Sequence, residues 1–426
     1  MNVQFMQFKD IKTVDDENEY PAAFMSPLFI PKDEFMGVID EEIERLSLKP
    51  KYPKYAFKMR TLFASLITAA PKDVEESIVA IPMKNGWWSQ FGNLGSAEAR
   101  KFKVRLEQEG ILEEIQQALV GPYGLKGQCA LYLVDQEWLE RFKDVKTATS
   151  RYPNLVRIKN KAKNELFDLE KSKDIQNDLI HMLDYWEKHP LLYKDNSMTV
   201  ARRVFNKNLE RGGRYYGPWT SMPKTQRMKT TIDGEAVCQV DISAAFLTML
   251  QAITKITSFA VGEEITDPYS PKRLHNILGG NGITRDKIKI FINSWIGGGN
   301  PKRNKAGGLK EFEDNKSFIE FRNAILPYFP ELRKVNKIDL EGIVFQKHES
   351  NVITSVIHSL RKMEVVAYPM HDCLIVKEKD VDQAVFALQK SMRFYLRDIG
   401  ALEIEPALTV EMADGTTKKV SGKRCS

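Results

Sequence analysis

Two short apolar runs, far apart in the chain, each stop on an aspartate: Cys238-Gln-Val-Asp241-Ile-Ser-Ala-Ala-Phe246, and Val365-Val-Ala-Tyr-Pro-Met-His371-Asp372-Cys-Leu-Ile-Val. The first reads as a buried strand whose terminal acid is followed by a helix starting within Asp241–Gln251. The second reads as two strands, Val365–Pro369 and Leu374–Val376, joined by a polar His-Asp turn. Each has an ordinary explanation on its own, because an Asp after a strand is commonly a helix cap and a His-Asp pair between apolar runs is commonly just a turn. Taken together they constrain the fold. Acids at the ends of two strands can meet on one sheet, and two carboxylates held together suit a pair of hard divalent cations. Phosphoryl transfer to a hydroxyl asks for little more, since one cation activates the attacking oxygen and the other steadies the leaving pyrophosphate.

Between the two acids lies Thr284-Arg285-Asp-Lys287-Ile-Lys289-Ile-Phe-Ile-Asn293-Ser-Trp-Ile-Gly297. The helical pattern over 284–296 puts Arg285 and Lys289 on one face. Two cations projecting together can clamp a triphosphate, Arg by its fork and Lys as a point charge, although a solvated basic face gives the same pattern. The glycine run that follows ends the helix and permits close approach. Elsewhere, strands are expected at Lys229–Ile232 and Ala236–Val240 with Asp233-Gly234 as the turn, and at 408–412. Helices are expected over 348–364 and after Asp380, and Lys418–Ser426 reads as a basic tail.

At these residues the chain resembles the family A DNA polymerases and their single-subunit RNA polymerase relatives. In that family an Asp on a strand opens motif A. Motif B is a helix with Arg, Lys four later and Gly nine after the Lys. Motif C is a His-Asp hairpin. Asp241, then Arg285, Lys289 and Gly298, then His371-Asp372 follow that order. Gly213-Arg214-Tyr-Tyr with Pro223 to Gln226 is similar to the family's primer-template segment, and Gln346-Lys-His-Glu349 to its Gln segment before motif C. The match covers roughly residues 210–400.

The resemblance implies that Asp241 and Asp372 bind two Mg2+ ions, with the Ile242 carbonyl helping and Mn2+ as a possible substitute. It implies that Arg285 and Lys289 hold the triphosphate, that Lys289 protonates the leaving pyrophosphate, and that Asn293 faces the nucleotide. His371 would touch the primer terminus. Arg214, Gln226 and Gln346 would contact the primer-template. Three positions depart from the family. Phe246 stands where a Glu is usual, and its ring could sit under the sugar and exclude a 2′-hydroxyl, or simply be core. Asn293 and Gly297 stand at the aromatic positions of motif B. Cys373 stands where a Glu usually follows the motif C Asp.

The implied fold is α+β, a right-hand polymerase with an antiparallel palm sheet, helical fingers and a helical thumb. Its expected segments are a mostly helical N-terminal region over 1–150, thumb-like helices over 151–210, palm over 211–250, fingers over 251–335, and palm with the basic tail over 336–426. Within the first segment, residues 1–60 read as a polar arm. A helix follows Ser96 as its cap, with Arg100, Lys101, Lys103 and Arg105 near one side, and could belong to a helix-turn-helix. Residues 155–195 read as long exposed helices. No D-x-E strand pattern over 1–200 suggests a proofreading exonuclease.

The implied activity is template-dependent DNA polymerisation from nucleoside triphosphates on a primer-template, DNA or RNA, with replication partner proteins in a phage or mobile element as the expected setting. An RNA polymerase, a reverse transcriptase, a primer-making or template-independent transferase, or a non-catalytic replication accessory are the alternatives. Composition fits without deciding: 63 Lys plus Arg against 57 Asp plus Glu permits a nucleic-acid partner but does not require one. Cys129, Cys238, Cys373 and Cys425 lack zinc or disulfide spacing, and there is no signal peptide or membrane-length apolar run, so a soluble cytoplasmic protein is expected.

Overall fold

The computed structural model describes residues 23–24, 29–52, 55–70, 76–82, 88, 94–118, 129–149, 155–159, 172–194, 196–299, 315–335, 340 and 342–426. The chain divides into two compact units: residues 1–154, 190–201 and 217–227 make the first, and 155–189, 202–216 and 228–426 the second.

The first unit is mixed α/β rather than mostly helical. The expected polar arm contains strands β1 (Ala23–Phe24) and β2 (Phe29–Pro31), then helix α1 (Met36–Arg45), which buries Ile39 and Ile43. The charged letters around that short apolar stripe hid it. Helix α2 (Ala56–Ala69) follows, then β3 (Ser77–Ile81), α3 (Ser96–Gln108), β4 (Leu112–Gln116), β5 (Ala130–Val134), α4 (Gln136–Glu140) and β6 (Thr147–Thr149). Strands β1, β3, β5 and β4 form one sheet in that order. Segments as short as Ser77-Ile-Val-Ala-Ile do not separate strand from buried helix by periodicity, so the letters alone do not announce the sheet. Ser96 is the first helical residue and not the cap. Gly95 holds the cap position, and its amide donates to the Glu98 carboxylate at 3.0 Å. Residues 83–87 and 89–93 lie outside the described residues, and the helix-turn-helix expectation goes with them.

In the second unit the segment expected as thumb-like helices, 151–210, is strand in part and keeps one helix among the described residues. Strand β7 (Val156–Lys159) pairs in parallel with β8 (Arg202–Asn206), which pairs antiparallel with β9 (Asn208–Tyr216). Helix α5 (Lys173–Lys188) is not an exposed helix: Leu179, Met182, Leu183 and Trp186 form a buried stripe at helical spacing. Close packing fixes one glycine here. Gly213 has φ +92°, and a Cβ on it would lie 2.7 Å from the Phe205 ring and 2.9 Å from Ser350 Oγ.

A hairpin then opens the main antiparallel sheet. Strands β10 (Thr231–Ile232) and β11 (Glu235–Ile242) are joined by Asp233-Gly234, both at positive φ, as a tight two-residue turn requires. Next come α6 (Ala245–Thr254), β12 (Glu264–Ile265), α7 (Arg285–Ser294), α8 (Asn315–Ile325) and α9 (Gly342–Lys362). Strands β13 (Ala367–Met370) and β14 (Cys373–Lys377) form the second hairpin, followed by α10 (Val381–Asp398). Last are β15 (Ile404–Glu405), β16 (Leu408–Glu411), β17 (Thr417–Val420) and β18 (Gly422–Arg424). The expected basic tail is therefore two strands. Strand β17 extends the main sheet through β16, and β18 pairs with β12 and β15.

Strand β11 is the centre of this sheet, flanked antiparallel by β14 and β16. Val237, Cys238, Val240 and Ile242 are buried, so the register is held by packing as well as by the ladder. Trp186 fixes α5 to β13: its indole N–H donates to the Ala367 carbonyl at 3.0 Å, and its ring stacks on Tyr368 at 5.0 Å. Among the described residues no helix is long and apolar enough to cross a membrane.

Candidate active site

The β11–β14 register brings the two aspartates together. Asp241 lies directly opposite Cys373, and the next amide, that of Ile242, donates to the Asp372 carbonyl at 3.0 Å. Directly opposed residues of antiparallel strands sit roughly 5 Å apart at Cα. Asp372 is one residue along from the partner of Asp241, so the backbone alone holds both acids at one end of the sheet. On its other side Asp241 faces Thr409, whose hydroxyl lies 3.0 Å from that of Ser243.

Two backbone positions at this end are strained. His371, first residue of the β13–β14 turn, has φ +58°, and Ala244, just before α6, has φ +58° and ψ +45°. Residues with a Cβ occupy that region at a cost of about 1–3 kcal/mol each and stay there only when their surroundings dictate it. Tyr216, from the end of β9, sets its ring edge-on to His371 at 5.8 Å.

The electrostatics of the pair come from three elements. Burial raises the Asp372 carboxyl above the usual range, while a backbone hydrogen bond, Arg214 and Lys289 pull it back. Arg214, from β9, turns the Nε/Nη2 edge of its guanidinium into Glu349 of α9, with Nε donating to Oε1 at 2.6 Å and Nη2 to Oε2 at 2.7 Å. Glu349 is fully buried, and burial together with the charge of Asp372 pushes its carboxyl up to about 7 against the pull of Arg214. The Arg214 guanidinium also lies 5.5 Å over the Phe246 ring, which meets Phe345 at 5.9 Å. Arg214 therefore reaches the site with its fork filled by a carboxylate of the same chain.

Helix α7 carries the third element. The Thr284 hydroxyl accepts from the Lys287 amide and caps it, and Ile288, Phe291 and Ile292 anchor its inner face. Arg285, Lys289 and Asn293 then line up along the outer face at four-residue spacing. Lys289 is exposed and, among the described residues, makes no ion pair, yet its charge is felt at Asp372. Arg285 is held by Asp267, and Asn293 accepts a hydrogen bond from the Tyr269 hydroxyl at 3.0 Å. Burial raises the Tyr269 phenol and Asp372 adds to the rise, so Tyr269 also lies within the field of the acids. Beyond α7 the glycine run does end the regular helix, as a π-helical turn over Trp295–Gly299 that includes Gly298.

Asp241, Ile242, Phe246, Arg214, Arg285, Lys289, Asn293, His371 and Asp372 thus all lie in the second unit. Gln346 is half-buried on α9, one turn before Glu349. Gln226 lies in the first unit, in the short helical turn Lys224–Arg227. Sequence reasoning gave no role to four contributors: Glu349, Tyr216, Asp267 and Tyr269. Glu349 and Tyr216 left a signal, as members of the Gln346–Glu349 and Gly213–Tyr216 segments, and Asp267 and Tyr269 left none.

No protein-family model matches the chain, and neither does any curated protein. Among solved structures the chain is similar to the POL domain of Pol1 from M. smegmatis, in complex with DNA primer-template and dNTP. The identity is 10% and the TM-score 0.32, and the match covers 61% of this chain and 52% of that one.

Proposed function

We propose that this chain is a nucleotidyltransferase that adds deoxynucleotides to a primer 3′-hydroxyl on a nucleic-acid template. What carries the reading is the meeting of Asp241 and Asp372 at the end of the β11–β14 pair, with the charges of Arg214 and Lys289 acting on Asp372. Two adjoining carboxylates with cations beyond them suit a substrate that is itself a polyanion.

The donor set fits two Mg2+ ions. The carboxylates of Asp241 and Asp372 and the carbonyl of Ile242 are hard oxygen donors, and the Cys373 thiol is directed to the Leu374 carbonyl rather than offered as a soft ligand. The burial that raises Asp372 is itself a reason for the acid to gain from a neighbouring cation. When bound, the ions supply activation of the attacking hydroxyl and neutralisation of the leaving pyrophosphate.

The chain's own residues supply the rest. Lys289 Nζ offers a point charge to the phosphates and can pass a proton to the pyrophosphate oxygen as it leaves. Arg285 offers its fork to the triphosphate tail. Phe246, steadied by Arg214 and Phe345, would meet the sugar at C2′ and disfavour a 2′-hydroxyl. His371 would meet the primer terminus, and Arg214 and Gln346 the primer-template. In this reading the main sheet is the palm and α7 belongs to the fingers.

Primer extension with magnesium tests it, comparing dNTPs with NTPs on DNA and RNA templates. Extension by the wild type, lost in Asp241→Asn and in Asp372→Asn, is expected. Tight nucleic-acid binding without extension on any template would instead make the chain an accessory protein.

A further inference from the structure

The outer face of α7 is engaged by a single turn of the chain. Asp267 stands two residues beyond β12 in Asp267-Pro-Tyr-Ser. Its Oδ1 accepts from the Tyr269 amide at 3.1 Å, and its backbone carbonyl from the Ser270 amide at 3.1 Å, so the turn is built on the aspartate itself. The same carboxylate takes the Arg285 fork: Oδ2 accepts from Nε, and Oδ1 from Nη2 at 3.2 Å. The guanidinium also lies 5.7 Å from the centre of the Tyr269 ring. Of the three outward residues of α7, the turn therefore occupies the first, Arg285, and the third, Asn293, and passes over Lys289. The Asp267 side chain is 14% exposed and that of Arg285 40%, so the carboxylate is fixed in the fold while the guanidinium reaches solvent.

An arginine edge that donates to two carboxylate oxygens is the same edge that donates to two phosphate oxygens. Two anions cannot fill it at once. We propose that Asp267 sets the affinity of the site for nucleoside triphosphates, because its carboxylate fills the Nε/Nη2 edge of Arg285 and the triphosphate must displace it to bind. This rests on the reading of Arg285 as a triphosphate ligand. A nucleoside without phosphates never reaches Arg285 and is not subject to the competition. Once displaced, Asp267 keeps its hydrogen bond from Tyr269, so the turn survives the exchange.

The test is equilibrium binding of dATP, inorganic tripolyphosphate and deoxyadenosine to the full chain with Mg2+, read by calorimetry. Asp267→Asn keeps an oxygen to accept from the Tyr269 amide but removes the competing charge. The expected result is about 5- to 10-fold tighter binding of dATP and tripolyphosphate, the scale of one partly exposed ion pair, with deoxyadenosine unchanged. In an Arg285→Ala background the same substitution should do nothing. Unchanged or weaker triphosphate binding in Asp267→Asn would overturn the proposal, the weaker case making Asp267 a residue that orients Arg285 for end-on contact. Tighter binding in a protein that extends no primer would uphold the competition and refute the polymerase reading. Extension by the wild type with affinity indifferent to Asp267 would do the reverse.

Discussion

Arg214→Ala isolates what the buried pair with Glu349 contributes. Glu349 is fully buried and Arg214 is 18% exposed, with both hydrogen bonds at 2.6–2.7 Å. Removing one partner of such a pair costs about 3–5 kcal/mol, because it strands the other charge. Glu349 has an escape, since its carboxyl is already pushed up to about 7 and can take a proton. The sign follows. A carboxyl raised above its unfolded value of 4.5 binds more protons folded than unfolded, so its contribution is present at low pH and lost as pH rises toward and past 7. Without Arg214 that loss is steeper. At pH 6 the stranded Glu349 is neutral and the variant loses about 1–2 kcal/mol, mostly packing against Phe246. At pH 8 it loses about 1.4 kcal/mol more, at 1.36 kcal/mol for each pH unit above the wild-type value of about 7. Arg214→Ala/Glu349→Gln should recover most of the second amount, a coupling of about 1 kcal/mol at pH 8 that shrinks at pH 6. Hydrogen exchange of the α9 and β11 amides reads these free energies locally, which suits a chain of two compact units. A coupling below about 0.5 kcal/mol at pH 8, or one equal at both pH values, would refute the reasoning.

Other outcomes follow from the same geometry. Phe246→Ala should raise ribonucleotide relative to deoxynucleotide incorporation by about 10-fold or more, about 1.4 kcal/mol of discrimination, and an unchanged ratio would make Phe246 core only. Lys289→Ala should lower kcat by about 100-fold, as loss of one charge-stabilising or proton-donating group does, and an effect confined to KM would leave it a binding residue. Glu331 is fully buried, accepts from Gln251 at 2.7 Å, and is pushed up to about 7 by burial, so its contribution to stability also falls between pH 4.5 and 7. Glu331→Gln should flatten that fall by about 2–3 kcal/mol, seen as a smaller drop in Tm from pH 5 to pH 8 than in the wild type; an equal drop would assign the titration elsewhere.

The sequence was legible where strands are short, apolar and closed by recognisable turns. Asp233-Gly234 announced the β10–β11 hairpin, and His371-Asp372 between two apolar runs announced β13–β14. These elements carry both acids, and α7 could be read from the spacing of Arg285, Lys289 and Asn293 with their apolar neighbours. Residues whose partners lie far along the chain could not be read. Nothing local says that Arg214 turns to Glu349, or that Asp267 reaches Arg285, because those contacts follow from the packing of α9 on β9 and from the turn after β12. Charge-rich surfaces misled in the other direction. The buried stripe of α5 and the strands β17 and β18 are hidden by lysine, arginine and aspartate, which say where water is but not whether the backbone is paired.

The hydrogen bond from the Ile242 amide to the Asp372 carbonyl has a further consequence. The placement of the two acids is set by main-chain pairing and by the buried side chains that hold its register, and not by the charged and polar groups around them. Natural variation in those neighbours can therefore retune charge, sugar choice or affinity while the spacing stays constant. Conversely, a one-residue insertion in β14 between Cys373 and Lys377 would slip the ladder and flip alternate side chains to the opposite face, disabling the pair while both aspartates remained in the gene.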